Sequence, residues 1–145
     1  MKKKKGNLIT MALEDKFDVI IHGCNCFCTM GAGIARSIKA AYPEAYQADL
    51  ATVKGNRAKL GTISYALCNG VWVVNAYTQY RYGRGMHTDY DAISKAFKLI
   101  ASKTKPGKRI GYPAIGAGLG GGNWNIISEI IDKEFEGLNH TLVRL

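Results

Sequence analysis

Apolar and polar positions along this chain follow two rhythms. Asp18-Val19-Ile20-Ile21-His22-Gly23 is a compact apolar run ending in glycine, the pattern of a strand buried on both faces. Ile34, Ile38, Ala41 and Tyr42 recur at helical spacing and stop at Pro43, and a polar helical stretch follows over Glu44 to Val53. Thr62 to Cys68 and Val71 to Tyr77 read as two strands separated by Asn69-Gly70, a strong hairpin signal. Thr88, with Asp91 three residues on, predicts a helix start. Tyr90, Ile93, Phe97 and Ile100 line one face of that helix, and Pro106-Gly107 ends the region. Arg109 to Pro113 predicts a short strand, Trp124, Ile127, Ile131 and Phe135 a last helix, and Thr141 to Leu145 a final strand. Near the start, Lys4 to Thr10 reads as a short edge strand. Strands and helices alternate throughout, with no internal repeat, linker or low-complexity stretch, which predicts a layered α/β fold.

Length and composition narrow the class. A chain of 145 residues predicts one domain over 1–145, large enough to bury roughly two-thirds of its unfolded surface without a disulfide or metal staple. Hydrophobic residues at 47%, charged residues at 21% and only 3 prolines exclude disordered, collagen-like and mucin-like chains. No apolar run approaches the roughly 18 residues of a membrane helix, and no signal-peptide core follows Met1 to Lys5. The expected address is cytoplasmic, away from membranes. The net charge of +9 favours anionic partners, whether nucleotide, nucleic acid or acidic protein. Lys2 to Lys5 reads as a solvated tail or strand start, with an RNA-binding arm as the alternative. Cys24, Cys26, Cys28 and Cys68 are expected reduced. Their spacing does not suit a zinc ribbon; His22 makes a metal cluster conceivable, but no metal and no cofactor are expected.

Glycine changes the picture most, at 17 of 145 residues, about 12% against a usual figure near 7%. Gly31-Ala32-Gly33 precedes one helix, and Gly116-Ala117-Gly118-Leu119-Gly120-Gly121-Gly122 leads into another. Each cluster follows a buried strand. Strand, glycine loop and helix N-terminus form an arrangement suited to phosphate, because backbone N–H groups point outward and the helix dipole is positive there. Two such loops at one sheet edge would hold a diphosphate from both sides, whereas either loop alone is explained by tight turns. Neither is a Walker A sequence, and Gly116-x-Gly118-x-x-Gly121 comes late and lacks the downstream acid of a dinucleotide fingerprint.

These segments together resemble the macro domain family. The resemblance rests on Lys5-Gly6-Asn7-Leu8, on His22-Gly23-Cys24-Asn25-Cys26 with Met30-Gly31-Ala32-Gly33-Ile34-Ala35, and on Ile115-Gly116-Ala117-Gly118-Leu119 with Trp124. It runs over essentially the whole chain and is nearest to the ADP-ribose-1″-phosphate phosphatase and terminal ADP-ribose glycohydrolase branch. It implies a three-layer α/β/α fold with a central mixed sheet and an ADP-ribose cleft. In that cleft Asn7, where the family usually carries Asp, would accept from the adenine amino group without charge, and Leu8 would meet the same ring through its backbone. Asn25 would contact the distal ribose. Gly31, Ala32, Gly33 and Ile34 would form the first phosphate loop, and Ile115, Gly116, Ala117, Gly118 and Leu119 the second. Val143 stands where the family often stacks an aromatic on adenine. The partners implied are ADP-ribose, its derivatives, and ADP-ribosylated protein or nucleic acid.

The chemistry is then decided by what is present and missing. The glycohydrolase branch uses a lysine near Thr78-Gln79 and an aspartate at the position of Gly120, and both are absent here. A glutamine cannot form the covalent adduct an amine forms. The phosphatase branch needs positioning, charge stabilisation and an activated water. His22 is the first candidate for its acid or base, with His87 and Asp89 beyond a loop able to swing over the distal ribose. Tyr80, Arg81, Tyr82 and Arg84 would cover a phosphate. The expected activity is hydrolysis of ADP-ribose-1″-phosphate. The alternatives are a reader of ADP-ribose marks and a de-ADP-ribosylating hydrolase that works without lysine.

Overall fold

The computed structural model describes residues 1–145. Six strands are β1 (Lys2–Lys5), β2 (Val19–Cys24), β3 (Ile63–Cys68), β4 (Val71–Tyr77), β5 (Arg109–Tyr112) and β6 (Asn139–Arg144). Five α-helices are α1 (Leu8–Leu13), α2 (Gly33–Ala41), α3 (Pro43–Leu50), α4 (Tyr90–Lys103) and α5 (Trp124–Glu134). The strands form one mixed sheet in the order β1-β6-β5-β2-β4-β3, in which only the β3–β4 pair is antiparallel.

Side-chain alternation assigns each strand residue to a layer. Val19 and Ile21 of β2, with Val74 and Ala76 of β4, face a core closed by Ile93 and Phe97 of α4 and Ile127 and Ile131 of α5. Ile20 and Val73 face the opposite core, closed by Leu8 of α1, Ile38 of α2 and Ala45 of α3. Both faces of the central strands are therefore covered, giving the three-layer α/β/α arrangement and explaining why β2 reads as an unbroken apolar run. Asn69 and Gly70 both take positive φ, as the tight β3–β4 hairpin demands.

Several boundaries differ from the sequence expectation, among them the helix read over Glu44 to Val53, which runs Pro43–Leu50. Lys4 to Thr10 is not one strand: pairing ends at Lys5, and Asn7 accepts from Thr10 N to start α1. Thr88 does not cap α4, because Asp89 takes that role by accepting from Ala92 N. The final strand begins at Asn139, two residues earlier than read. The Lys2–Lys5 run is an exposed edge strand, where lysines discourage pairing with other chains.

One close approach governs the sheet. A β-carbon at Gly111 in β5 would fall 2.8 Å from two atoms of the buried Phe17 ring, which lies against the strand. Gly111→Ala is expected to destabilise the fold by about 1–3 kcal/mol through overpacking, read as a lowered denaturant midpoint.

Candidate functional site

Because β5, β2 and β4 are parallel neighbours, their carboxyl ends open on one sheet edge, and the connections that follow them meet there. A β-carbon at Gly23 would fall 2.8 Å from Thr78 Oγ1 and 3.1 Å from Ile115 Cγ2, so the ends of all three strands touch at that point. The first glycine loop, from Asn25 to Ala32, runs into α2. The second, from Pro113 to Asn123, runs into α5. A β-carbon at Gly33 would lie 3.8 Å from Leu119 Cδ1, so the two loops abut.

Helix capping singles out α2. Asn7, Asp89 and Asn123 cap α1, α4 and α5 through their side chains, and α3 begins with Pro43. α2 begins at Ala32, which offers no side-chain acceptor, and neither Ala32 N nor Gly33 N has an acceptor within the chain. That end keeps its orphan N–H groups and its positive dipole for something else. Across from it, the N–H groups of Gly116, Gly118, Leu119 and Gly120 also find no acceptor in the chain. Free donors on touching loops are the chemical features of an anion site.

The glycines of the second loop have different jobs. Thr88, reaching in from the β4–α4 connection, donates through Oγ1 to Gly116 O at 2.7 Å, and its own N–H bonds Gly120 O. β-Carbons at Gly116 and Gly120 would collide with the Thr88 side chain, and one at Gly122 would fall 2.7 Å from Gly116 O and 2.8 Å from Ile127 Cδ1. Gly116 and Gly120 are glycine because the loop wraps around that threonine, and Gly122 because the loop folds back on itself. Gly118 has nothing within 4 Å and points into the open.

A macro domain family model matches residues 21–131, most of the chain including both glycine loops. The chain belongs to the macro domain family. An uncharacterised 17.5 kDa protein from the tk–vs intergenic region of Enterobacteria phage T4 is 38% identical, over 96% of this chain and 92% of that protein. The macrodomain of Thermus aquaticus DarG superposes with a TM-score of 0.74 at 22% identity, covering 99% of this chain and 97% of that one. Thermosipho africanus DarTG, solved in complex with ADP-ribose, gives 0.74 at 16% identity over the whole of this chain and 42% of that one. At these identities the structural likeness concerns the fold.

Several residues of this macro domain sit differently from the sequence expectation. His22 does not face the cleft. It is fully enclosed in the sheet, its Nε2 is 2.6 Å from Asn75 Oδ1, and the Cys24 thiol lies 3.6 Å from Nδ1. Asn75 spends its amide hydrogens on Ala45 O and Ser64 Oγ, so its oxygen accepts and His22 carries its proton on Nε2. Burial holds the imidazole pKa down to about 4, with the Asn75 bond opposing only in part. A neutral ring sealed from solvent cannot serve a cleft ligand as acid or base. Leu8, Thr78 and Ile115 also have buried side chains, so only their backbones are available to a ligand. The second loop does not end on an open helix, since Asn123 accepts from Asn125 N and closes α5.

Asn25 holds the first loop in shape, accepting from Phe27 N and donating to Thr29 Oγ1. Gln79 donates to Arg81 O, and its Oε1 occupies space beside Gly120. His87 is half-buried at the rim. Its N–H bonds Gly120 O and its Nε2 lies 2.7 Å from Arg84 O. Tyr80 is tied to Gly55 O, while Arg81, Tyr82 and Arg84 stay exposed. The three clustered cysteines are buried free thiols and do not gather three metal donors. Cys28, at φ +56°, bonds Asp49 O, and the buried Lys59 ammonium reaches Cys26 O and Cys28 Sγ. Lys59 and Thr88 thus brace the two loops from beneath. Sequence reading missed both, since each acts on residues about 30 positions away.

Proposed function

We propose that this macro domain binds ADP-ribose, with the diphosphate held between the N-terminus of α2 and the Gly116–Gly120 donors, and hydrolyses ADP-ribose-1″-phosphate to ADP-ribose and phosphate. The observation that carries the binding is the uncapped α2 end on a loop that abuts a second loop with four unpaired N–H groups. The ADP-ribose bound to the similarly folded DarTG supports it. On this reading the adenine lies toward Asn7 and Leu8. Asn7 Oδ1 already accepts from Thr10 N and keeps one lone pair for the adenine amino group. The distal ribose lies toward Asn25, Thr78 and Gln79.

Residue 120 argues against a glycohydrolase of the lysine–aspartate type. A β-carbon there would strike Thr88 Oγ1 and lie 2.9 Å from Gln79 Oε1, so the loop has no space for a carboxylate. Phosphate hydrolysis asks less of the protein. Water attacks phosphorus, the bond from phosphorus to the C1″ oxygen breaks, that oxygen takes a proton, and the attacking water loses one. Backbone donors hold the charge, and one group must move protons. Of the three histidines, His22 and His140 are buried and only His87 reaches solvent, beside Gly120. We assign it the proton transfer. Asp89, which caps α4 through Oδ1 and leaves Oδ2 unpaired, holds the segment carrying His87 in place.

His87→Ala is expected to lower the turnover for phosphate release about 100-fold or more, while ADP-ribose affinity stays within about threefold. Unchanged turnover in that variant removes His87 from the mechanism. ADP-ribose binding by the wild-type protein with no phosphate release makes it a reader.

A further inference from the structure

The opposite edge of the sheet carries a second concave site. A cavity of about 530 Å³ lies between the β3–β4 hairpin and the C-terminal end of α4, at the amino ends of β2 and β4. Its floor is aromatic. Tyr65 and Trp72 pack edge to face at 5.7 Å, yet remain 45% and 43% exposed, because α4 ends before covering the hairpin tip. Its rim is basic. Lys103, Lys105 and Lys108 line it, all are exposed, and none forms an ion pair. The Lys103 ammonium stands 5.9 Å from the Tyr65 ring. The one acid in the lining, Asp18, is held by Arg109 through both carboxylate oxygens, so its charge is already answered.

We propose that this cavity is a binding site for a single-stranded nucleic acid, with a base stacked on Trp72, the Tyr65 ring packed edge to face to hold the indole in position, and the flanking phosphates on Lys103, Lys105 and Lys108. Open aromatic faces beside unpaired ammonium groups are the two elements of sequence-tolerant single-strand binding. A duplex keeps its bases stacked on one another and has none to offer these rings. A second copy of this chain would set three unpaired lysines against three more, which like-charge repulsion opposes. The volume suits one nucleotide at a time. β4 is 7 residues long, so this site lies roughly 20 Å from the cleft along the strands and stands independently of the function proposed for that cleft.

The chain has two tryptophans, so Trp124→Phe leaves Trp72 as the sole indole reporter. Titration with a 12-residue oligothymidylate at low salt is expected to quench Trp72 emission. In the same background, Tyr65→Ala is expected to weaken binding about fivefold or more. Changing Lys103, Lys105 and Lys108 together to Gln is expected to weaken it further and to flatten the slope of log affinity against log salt by about two. The combined Lys3→Gln and Lys5→Gln variant should bind as the parent does. Anisotropy of the labelled oligonucleotide with wild-type protein repeats the measurement without relying on Trp124→Phe, and circular dichroism checks that each variant folds. The proposal is overturned by an absence of binding, by equal binding of a duplex, by equal quenching with polyglutamate, or by affinity that follows Lys3 and Lys5 instead of the three cavity lysines.

Discussion

Gly118→Glu should abolish ADP-ribose binding while leaving the protein folded. The other conspicuous glycines of the second loop cannot make this test cleanly. Side chains at Gly116 or Gly120 would collide with Thr88, and one at Gly122 with Gly116 O and Ile127, so each would break the loop itself. Gly118 has no neighbour within 4 Å and no positive φ, so a side chain there enters open space without strain. That space is where the proposed diphosphate would sit. A carboxylate about 4 Å from a phosphate charge at a protein surface costs on the order of 4 kcal/mol before relaxation. The glutamate also blocks the close approach that the loop's N–H groups require. Calorimetry should report at least about a 100-fold loss of affinity, with the thermal midpoint within a few degrees of wild type. Normal binding by this variant would remove the loop from the phosphate site.

The second large effect concerns pH and separates structure from catalysis. His22 stays neutral in the fold down to about pH 4, whereas the unfolded chain protonates it near 6.5. Between those values the unfolded state binds more protons, so stability rises with pH across that window and is lost as pH falls from 6.5 toward 4. From pH 7 to pH 4.5 this one group removes about 2 kcal/mol. Asp18 acts in a lower window. Its bonds to Arg109 hold its pKa near 2, so the stability it adds is lost only below its ordinary value of 3.8. His140, whose pKa burial also lowers, contributes equally to wild type and to a His22 variant and cancels between them. His22→Gln retains an amide able to donate to Asn75 but cannot titrate. Its unfolding free energy should therefore fall less on acidification, by about 2 kcal/mol over the same range. Phosphate release at pH 7.5 should persist. An unchanged acid slope would contradict the sealed, neutral ring, and lost turnover in a folded His22→Gln protein would return His22 to the mechanism.

What the sequence disclosed follows from how local each signal is. β2 and β4 were legible because most of their residues on both faces are buried, so apolar residues dominate each run. The hairpin was legible because Asn69 and Gly70 both adopt positive φ. The glycine clusters do lie together, on loops that abut at one sheet edge. They did not disclose that Gly116 and Gly120 make way for Thr88 while Gly118 faces open space, because that division depends on a side chain from another connection. α1 was missed because Leu8-Ile9 fits a strand as well as a helix, and the deciding bond is made by Asn7 one residue earlier. His22 was misjudged as a strand-end group facing the cleft. Its place is set by Asn75, 53 residues away on the neighbouring strand. Lys59 carries no local signal of its role as a buried brace, which is made with Cys26 33 positions away.

The most direct test is phosphorus NMR of ADP-ribose-1″-phosphate mixed with the purified protein. The account predicts that the diphosphate resonances shift or broaden as they enter the loop site and that an inorganic phosphate peak then grows with time. Diphosphate and 1″-phosphate signals that stay unchanged in position, width and intensity would contradict the ADP-ribose cleft.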